Sequence, residues 1–94
     1  MRIENDAIAG TLESSDAQVR VTPHQDLDVV VNSSVEAQFG DAIRALVAET
    51  LAELGVTAGR IQIDDKGALD CTLRARLIGA ITRSGDNSID WGTL

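Results

Sequence analysis

Aromatic side chains are nearly absent. Phe39 and Trp91 are the only two, and there is no tyrosine. That argues against a surface that stacks the bases of single-stranded nucleic acid. It also requires an aliphatic core of Val, Ile, Leu and Ala. Basic residues are scarce: Lys and Arg number 8 against 15 Asp and Glu, a formal net charge of −7. A polyanion such as DNA is repelled unless those few cations gather on one face, so no nucleic-acid partner is expected. Docking on basic patches of protein partners suits such a chain better. There is one cysteine, Cys71, so no intrachain disulfide can form, and a reducing, cytoplasmic compartment fits. There is one histidine, His24, which excludes a metal cluster built on histidines. No apolar run approaches the roughly 20 residues of a membrane span. The opening Met1-Arg2-Ile3-Glu4-Asn5-Asp6 lacks the charged and apolar regions of a secretory signal. No metal and no membrane are expected.

What remains is an ordinary globular composition. Of 94 residues, 44% are hydrophobic and 24% charged. One domain over 1–94 is expected, with 86–94 as a candidate flexible tail: that stretch is polar except for Ile89, Trp91 and Leu94.

Periodicity orders the elements. Residues 7–13 are strand-like, with Ile8, Gly10 and Leu12 sharing a face. Ser14-Ser15-Asp16 is a turn signal. From Ala17 to Thr22 the pattern alternates, placing Ala17, Val19 and Val21 inward. The two runs predict a hairpin with its tip at Ser14–Asp16. Pro23 ends the second strand, because it cannot donate to a ladder. A third alternating run, Leu27 to Asn32, turns Leu27, Val29 and Val31 inward. Ser33 with Glu36 forms a capping-box pattern. Val35, Phe39, Ala42, Ile43, Leu46, Thr50 and Leu54 then recur at helical spacing up to Gly55, which predicts a helix over 34–54. Arg60 to Asp65 is a short strand with Ile61 and Ile63 inward, and Asp64-Asp65-Lys66-Gly67 carries a turn. Asp70 reads as the N-cap of a second helix bearing Leu73, Leu77, Ala80 and Ile81, ended by Gly85. The order β-β-β-α-β-α predicts an α+β fold: a small, mostly antiparallel sheet with two helices on one face.

Signatures of catalysis are weak. His24 sits in a turn beside Pro23 with nothing to orient it as a base. Cys71, near a predicted helix start, is either a reactive thiol or a small buried side chain. Arg74, Arg76 and Arg83 could form a basic strip, but on so acidic a chain a solvated face or a docking contact explains them better. Asp64 and Asp65 need be no more than turn residues. Ser14 stands exposed at the predicted hairpin tip, reachable by another enzyme but without a local base, so it would be a poor nucleophile. Position alone does not separate Ser14 from Ser15.

Four blocks carry a resemblance. Ala9-Gly10-Thr11-Leu12-Glu13-Ser14-Ser15-Asp16 resembles the N-terminal motif of citrate lyase acyl carrier proteins, the γ subunits of that complex. Val31 to Glu36, Gln38 to Arg44, and Asp64 to Cys71 continuing through Leu73 to Leu77 agree with the same family. The similarity covers nearly the whole chain; residues after Ser84 match least. The resemblance implies a carrier that performs no bond-making step itself. It implies a covalent group, 2′-(5″-triphosphoribosyl)-3′-dephospho-CoA, linked by a phosphodiester to the serine that falls on Ser14. Acetyl and citryl thioesters would ride on the thiol of that arm. Its partners would be an α subunit that exchanges acetyl for citryl, a β subunit that cleaves citryl thioester to oxaloacetate, and a transferase that installs the arm. The family works in citrate fermentation. The four-helix carriers of fatty acid synthesis, with serine at a helix start in an Asp-Ser-Leu context, are a different pattern. The malonate decarboxylase carrier, with serine in a Gly-Ser-Gly setting, is the nearest competitor. A protein-interaction module without a prosthetic group, and an enzyme using Cys71 or His24, are the alternatives from other classes.

Overall fold

In a computed structural model of the chain, residues 3–34 and 36–85 are described. Four strands and two helices follow in the expected order: β1 (Ala7–Gly10), β2 (Ala17–Thr22), β3 (Leu27–Ser33), α1 (Glu36–Glu53), β4 (Gly59–Asp65) and α2 (Asp70–Ser84). The strands form one sheet in the order β1-β2-β4-β3. β1 pairs antiparallel with β2, and β2 antiparallel with β4. The pairing of β3 with β4 is parallel, so the sheet is mixed. α1 supplies the crossover that parallel neighbours require.

The alternating strands bury as they should. Ala17, Val19 and Val21 of β2 and Ile61 and Ile63 of β4 are fully buried, facing Leu73, Leu77, Ala80 and Ile81 of α2. At about 25 cal/mol per Å², such fully buried side chains are the main drive for folding.

β1 buries its alanines, and the face carrying Ile8 is the outer one. The strand ends at Gly10, which leaves Leu12 in the following loop. Ala9 is buried and Ala7 half-buried, while Ile8 stands 42% exposed. α2 passes close over this face: a Cβ built at Gly79 would lie in van der Waals contact with the Ala9 Cβ, at 3.7 Å.

α1 also departs in part. Its buried stripe runs through Ile43, Val47, Thr50 and Leu51, with Leu46 packed at its side. Ala42 and Phe39 are exposed, Phe39 by 53%. The apolar pattern extends one turn beyond the stretch of helix that the sheet can cover. Ser33 closes β3, and its hydroxyl donates to Asp65 Oδ2 at 2.9 Å. At the other end of α1 the expectation at Gly55 holds. Gly55 has φ +68°, its N–H bonds the Ala52 carbonyl, and the Val56 N–H bonds that of Leu51. That is a Schellman motif, with glycine where a left-handed residue is needed.

The cap of α2 is Leu69, not Asp70. Asp70 opens the first turn, where its carboxylate still favours the helix N-terminus. In β3 only Val31 is buried; Leu27 and Val29 line a groove of about 320 Å³ beside Val47, Leu51 and Val56. The expected tail, 86–94, lies outside the described residues.

Candidate functional site

The loop between β1 and β2 is built to hold a turn open to solvent. It begins at Gly10, with φ +88°, a backbone geometry costly for other residues. A Cβ there would overlap the backbone carbonyl of Ala17 and come within 3.0 Å of Arg76 Cδ. Glycine is therefore required twice over, by conformation and by space.

Beyond Gly10 the loop closes on itself. The Asp16 N–H bonds the Glu13 carbonyl at 3.1 Å, making a turn with Ser14 and Ser15 at its centre. The Glu13 N–H bonds Thr11 Oγ1 at 3.2 Å, and that hydroxyl donates to Asp16 Oδ2 at 2.6 Å. Ser15 adopts φ +66°, the sole non-glycine residue with positive φ among those described. Its N–H bonds the Lys66 carbonyl at 2.8 Å, and the Lys66 N–H returns a bond to the Asp16 carbonyl at 2.9 Å. This pair stitches the loop to the turn between β4 and α2.

Asp16 is the keystone. Arg76 of α2 donates from Nε to Oδ1 and from Nη2 to Oδ2, each at 3.1 Å, a bidentate grip. The Ala17 N–H adds a bond to Oδ1 at 2.7 Å. Arg76 above all, then Thr11 and the Ala17 amide, hold the Asp16 carboxyl well below the usual carboxylate range. Ser14 stands outside this network, exposed at the apex. The result is an accessible hydroxyl on a fixed support, with no base beside it. Such a hydroxyl suits covalent loading by another enzyme and does not suit nucleophilic catalysis.

The other candidate residues lie apart. His24 is in the β2–β3 turn, where its Nδ1 accepts from the Asp26 N–H at 3.2 Å. Cys71 is exposed, which overturns the reading of it as a buried small side chain. The three arginines do not make a basic strip. Arg74 donates to Glu53 and to Thr50 Oγ1, Arg76 grips Asp16, and Arg83 donates to the Ile8 carbonyl. Asp64 and Asp65 end β4 and are not in the turn itself. Asp65 is buried and holds the start of the β4–α2 turn, its Oδ1 accepting from the Ala68 N–H at 2.9 Å. The turn follows at Lys66 and Gly67, two residues later than the expected Asp64 start. Among the described residues no cluster of three or more His, Cys, Asp or Glu could hold a metal ion, and no helix is long and apolar enough to cross a membrane.

Sequence reasoning marked Asp16 as a turn residue but missed Arg76 as its partner. The two are 60 residues apart, and no local pattern links them.

A covalent arm joined by one phosphodiester needs only an exposed hydroxyl, approachable by a transferase and held by a rigid scaffold. The tip fits that requirement.

Comparison with known proteins gives the family. The family model described as ACP, malonate decarboxylase delta subunit (MdcD), matches residues 4–84. A citrate lyase acyl carrier protein of Haemophilus influenzae is 55% identical over 91 residues, covering 97% of this chain and 96% of the relative. One from Haemophilus ducreyi is 50% identical with the same coverage. Among solved structures, a chain of a Pseudomonas malonate decarboxylase hetero-tetramer in complex with malonate superposes with a TM-score of 0.79. It shares 26% identity, over 88% of this chain and 87% of that one. Matched along almost its full length, the chain belongs to the citrate lyase acyl carrier protein family, and its role is that of a non-catalytic acyl carrier.

Proposed function

We propose that this chain is the acyl carrier subunit of a citrate lyase, a single domain that carries 2′-(5″-triphosphoribosyl)-3′-dephospho-CoA on the Ser14 hydroxyl. Bound there, the group supplies a terminal thiol on which acetyl and citryl units ride as thioesters. The observation that carries this reading is the placement of Ser14. It crowns a turn locked by Asp16–Arg76 and by the paired Ser15 and Lys66 bonds, with its own side chain left to solvent.

The chain's residues then have separable tasks. Ser14 Oγ is the anchor. Gly10 lets the loop leave β1 without striking Ala17. Asp16, Thr11 and Arg76 set the angle at which the anchor leaves the domain. A rigid base with a long tether lets one thioester visit two active sites at high effective concentration without release. The partners are an acyl-exchanging α subunit, a citryl-cleaving β subunit and the transferase that loads Ser14, all in the cytoplasm.

The malonate decarboxylase carrier is the second reading, favoured by the family match and by the structural neighbour. The loop speaks for citrate lyase: Ser14 lies between Glu13 and Ser15, not between glycines. The test is the intact mass of the chain from cells grown anaerobically on citrate, followed by peptide fragmentation. A dephospho-CoA-type adduct on Ser14, in a complex that cleaves citrate, is the expected result. An unmodified chain inside an active lyase would refute the carrier reading and leave an interaction module. The adduct on Ser15 would move the anchor. A complex active on malonate alone would assign the chain to the other enzyme.

A further inference from the structure

A second feature lies directly beside the anchor. A hollow of about 660 Å³ opens between the N-terminal turns of α1 and α2, lined by Phe39, Ala42, Ile43, Ala68, Leu69 and Cys71. Gly67 and Asp65 form its edge toward the hairpin loop. Two of the largest exposed apolar side chains on the molecule meet here, Leu69 at 72% and Phe39 at 53%. Exposed apolar groups gathered around a concavity mark a site that something covers.

The hydrogen bonds place this hollow next to Ser14. Lys66, whose backbone N–H and carbonyl tie down Asp16 and Ser15, sits between Asp65 and Gly67 in the chain. Bond lengths alone bring the Ser14 Cα within about 8 Å of the Gly67 Cα. The other apolar groove, between β3 and α1, reaches toward Leu27 at the far end of the sheet. Leu27 pairs with Gly59, whereas the hairpin loop joins β4 at Asp65, six residues away and roughly 20 Å along the strand. Of the two, only the first adjoins the anchor.

We propose that this hollow is a resting site for the pantetheine end of the arm carried on Ser14. This inference rests on the carrier reading of that residue. The chemistry matches. Pantetheine alternates methyl and methylene groups with amides, and the hollow offers an apolar floor with the Asp70 carboxylate at its rim to accept from an amide N–H. A thioester lying against Phe39 and Leu69 is screened from water on one side while the carrier travels between partners. The site is shallow and its floor exposed, so the arm leaves easily when a partner's active site competes for it.

Cys71 makes the test direct, because it is the only cysteine in the chain and lies on the hollow. The chain is coexpressed with the transferase, and loading of Ser14 is verified by intact mass. The reduced, loaded chain is then oxidised with diamide at low protein concentration. The arm thiol and the Cys71 thiol give up two protons and two electrons to diamide, which becomes the hydrazine, and one intramolecular disulfide forms. The readout is monomer mass less two hydrogens, with loss of both free thiols. The comparison is C71S carrying D64C. That thiol lies on the uncovered face of the sheet, equally beside the loop, since Asp64 pairs with Gln18 and Gln18 with Gly10. An arm resting in the hollow closes on Cys71 at least ten times faster than on the Asp64→Cys thiol, and Leu69→Asp removes that advantage. Equal rates at the two positions would show a freely swinging arm and overturn the proposal. A Leu69→Asp chain that keeps the fast closure but no longer binds the partner subunits would make the hollow a protein-docking surface instead. A chain from an active complex with no adduct at all would overturn the carrier reading, and the resting site with it.

Discussion

Gly10 and Gly67 allow a paired experiment on what the anchor loop demands. Both have strongly positive φ, +88° and +86°. They differ in surroundings: a Cβ at Gly67 meets nothing within 4 Å, whereas one at Gly10 strikes the Ala17 carbonyl. Replacing either by alanine incurs the left-handed penalty, about 1–2 kcal/mol. Both also gain about 0.4–1 kcal/mol, because alanine restricts the unfolded chain. Gly67→Ala should therefore cost about 1 kcal/mol or less. Gly10→Ala carries the same balance plus a steric displacement of Ala17, the first residue of β2 and the partner of Asp65. Overpacking of that kind costs about 1–3 kcal/mol. The expected difference between the two variants is then about 2 kcal/mol. In a domain of this size that separates their melting temperatures by roughly 8–16 °C. Thermal unfolding followed by far-ultraviolet circular dichroism measures it. Equal melting temperatures for the two variants would refute the argument that space, in addition to φ, requires glycine at position 10.

The Asp16–Arg76 pair should serve both loading and folding. Arg76→Met is expected to slow transferase loading of Ser14 several-fold, to speed hydrogen exchange of the Ser15 and Lys66 amides and to lower the melting temperature near neutral pH; unchanged loading would show that the brace does not orient the anchor. Because the Asp16 carboxyl is held below its ordinary value, its contribution is fully present above about pH 4 and is lost as pH falls toward its folded-state value. The wild-type chain should thus lose more stability between about pH 4.5 and 2 than Asp16→Asn does, measured by melting temperature at each pH. In the core, Leu77 is fully buried, and Leu77→Ala is expected to cost about 2–5 kcal/mol by urea denaturation, whereas Leu69→Ala, on an exposed residue, should stay within about 0.5 kcal/mol. Asp65→Ala would remove the acceptor of the Ala68 N–H and one acceptor of the Ser33 hydroxyl, with an expected loss of about 1–3 kcal/mol in the same assay.

The parts of the fold legible in the sequence are those where burial follows a clean period. β2 and β4 alternate because both are flanked by paired strands and pressed by α2, so Val19, Val21, Ile61 and Ile63 take one side without exception. For β1 the pattern names a shared face for Ile8, Gly10 and Leu12 without its direction, and the folded chain turns Ala9 inward and Ile8 outward. Phe39 misleads because it continues the helical spacing past the reach of the sheet. The parallel pairing of β3 and β4 is implicit in a strand-helix-strand order, yet alternation says nothing about direction. For the site, the exposed serine turn was visible, since Ser-Ser-Asp is turn chemistry. Its brace was not: the partner of Asp16 is on α2, and only the folded chain brings Arg76 to it. The choice of Ser14 over Ser15 came from family resemblance alone.

That brace gives the anchor a history as well as a geometry. The loop is made early in synthesis, but its supports come much later in the chain, Lys66 in the β4–α2 turn and Arg76 in α2. Until α2 has emerged from the ribosome and docked, the serine sits on an unsupported tether. On the proposed carrier reading, a transferase that recognises the braced turn would load finished molecules and pass over nascent, truncated or misfolded ones, and loading would double as an inspection of the folded domain.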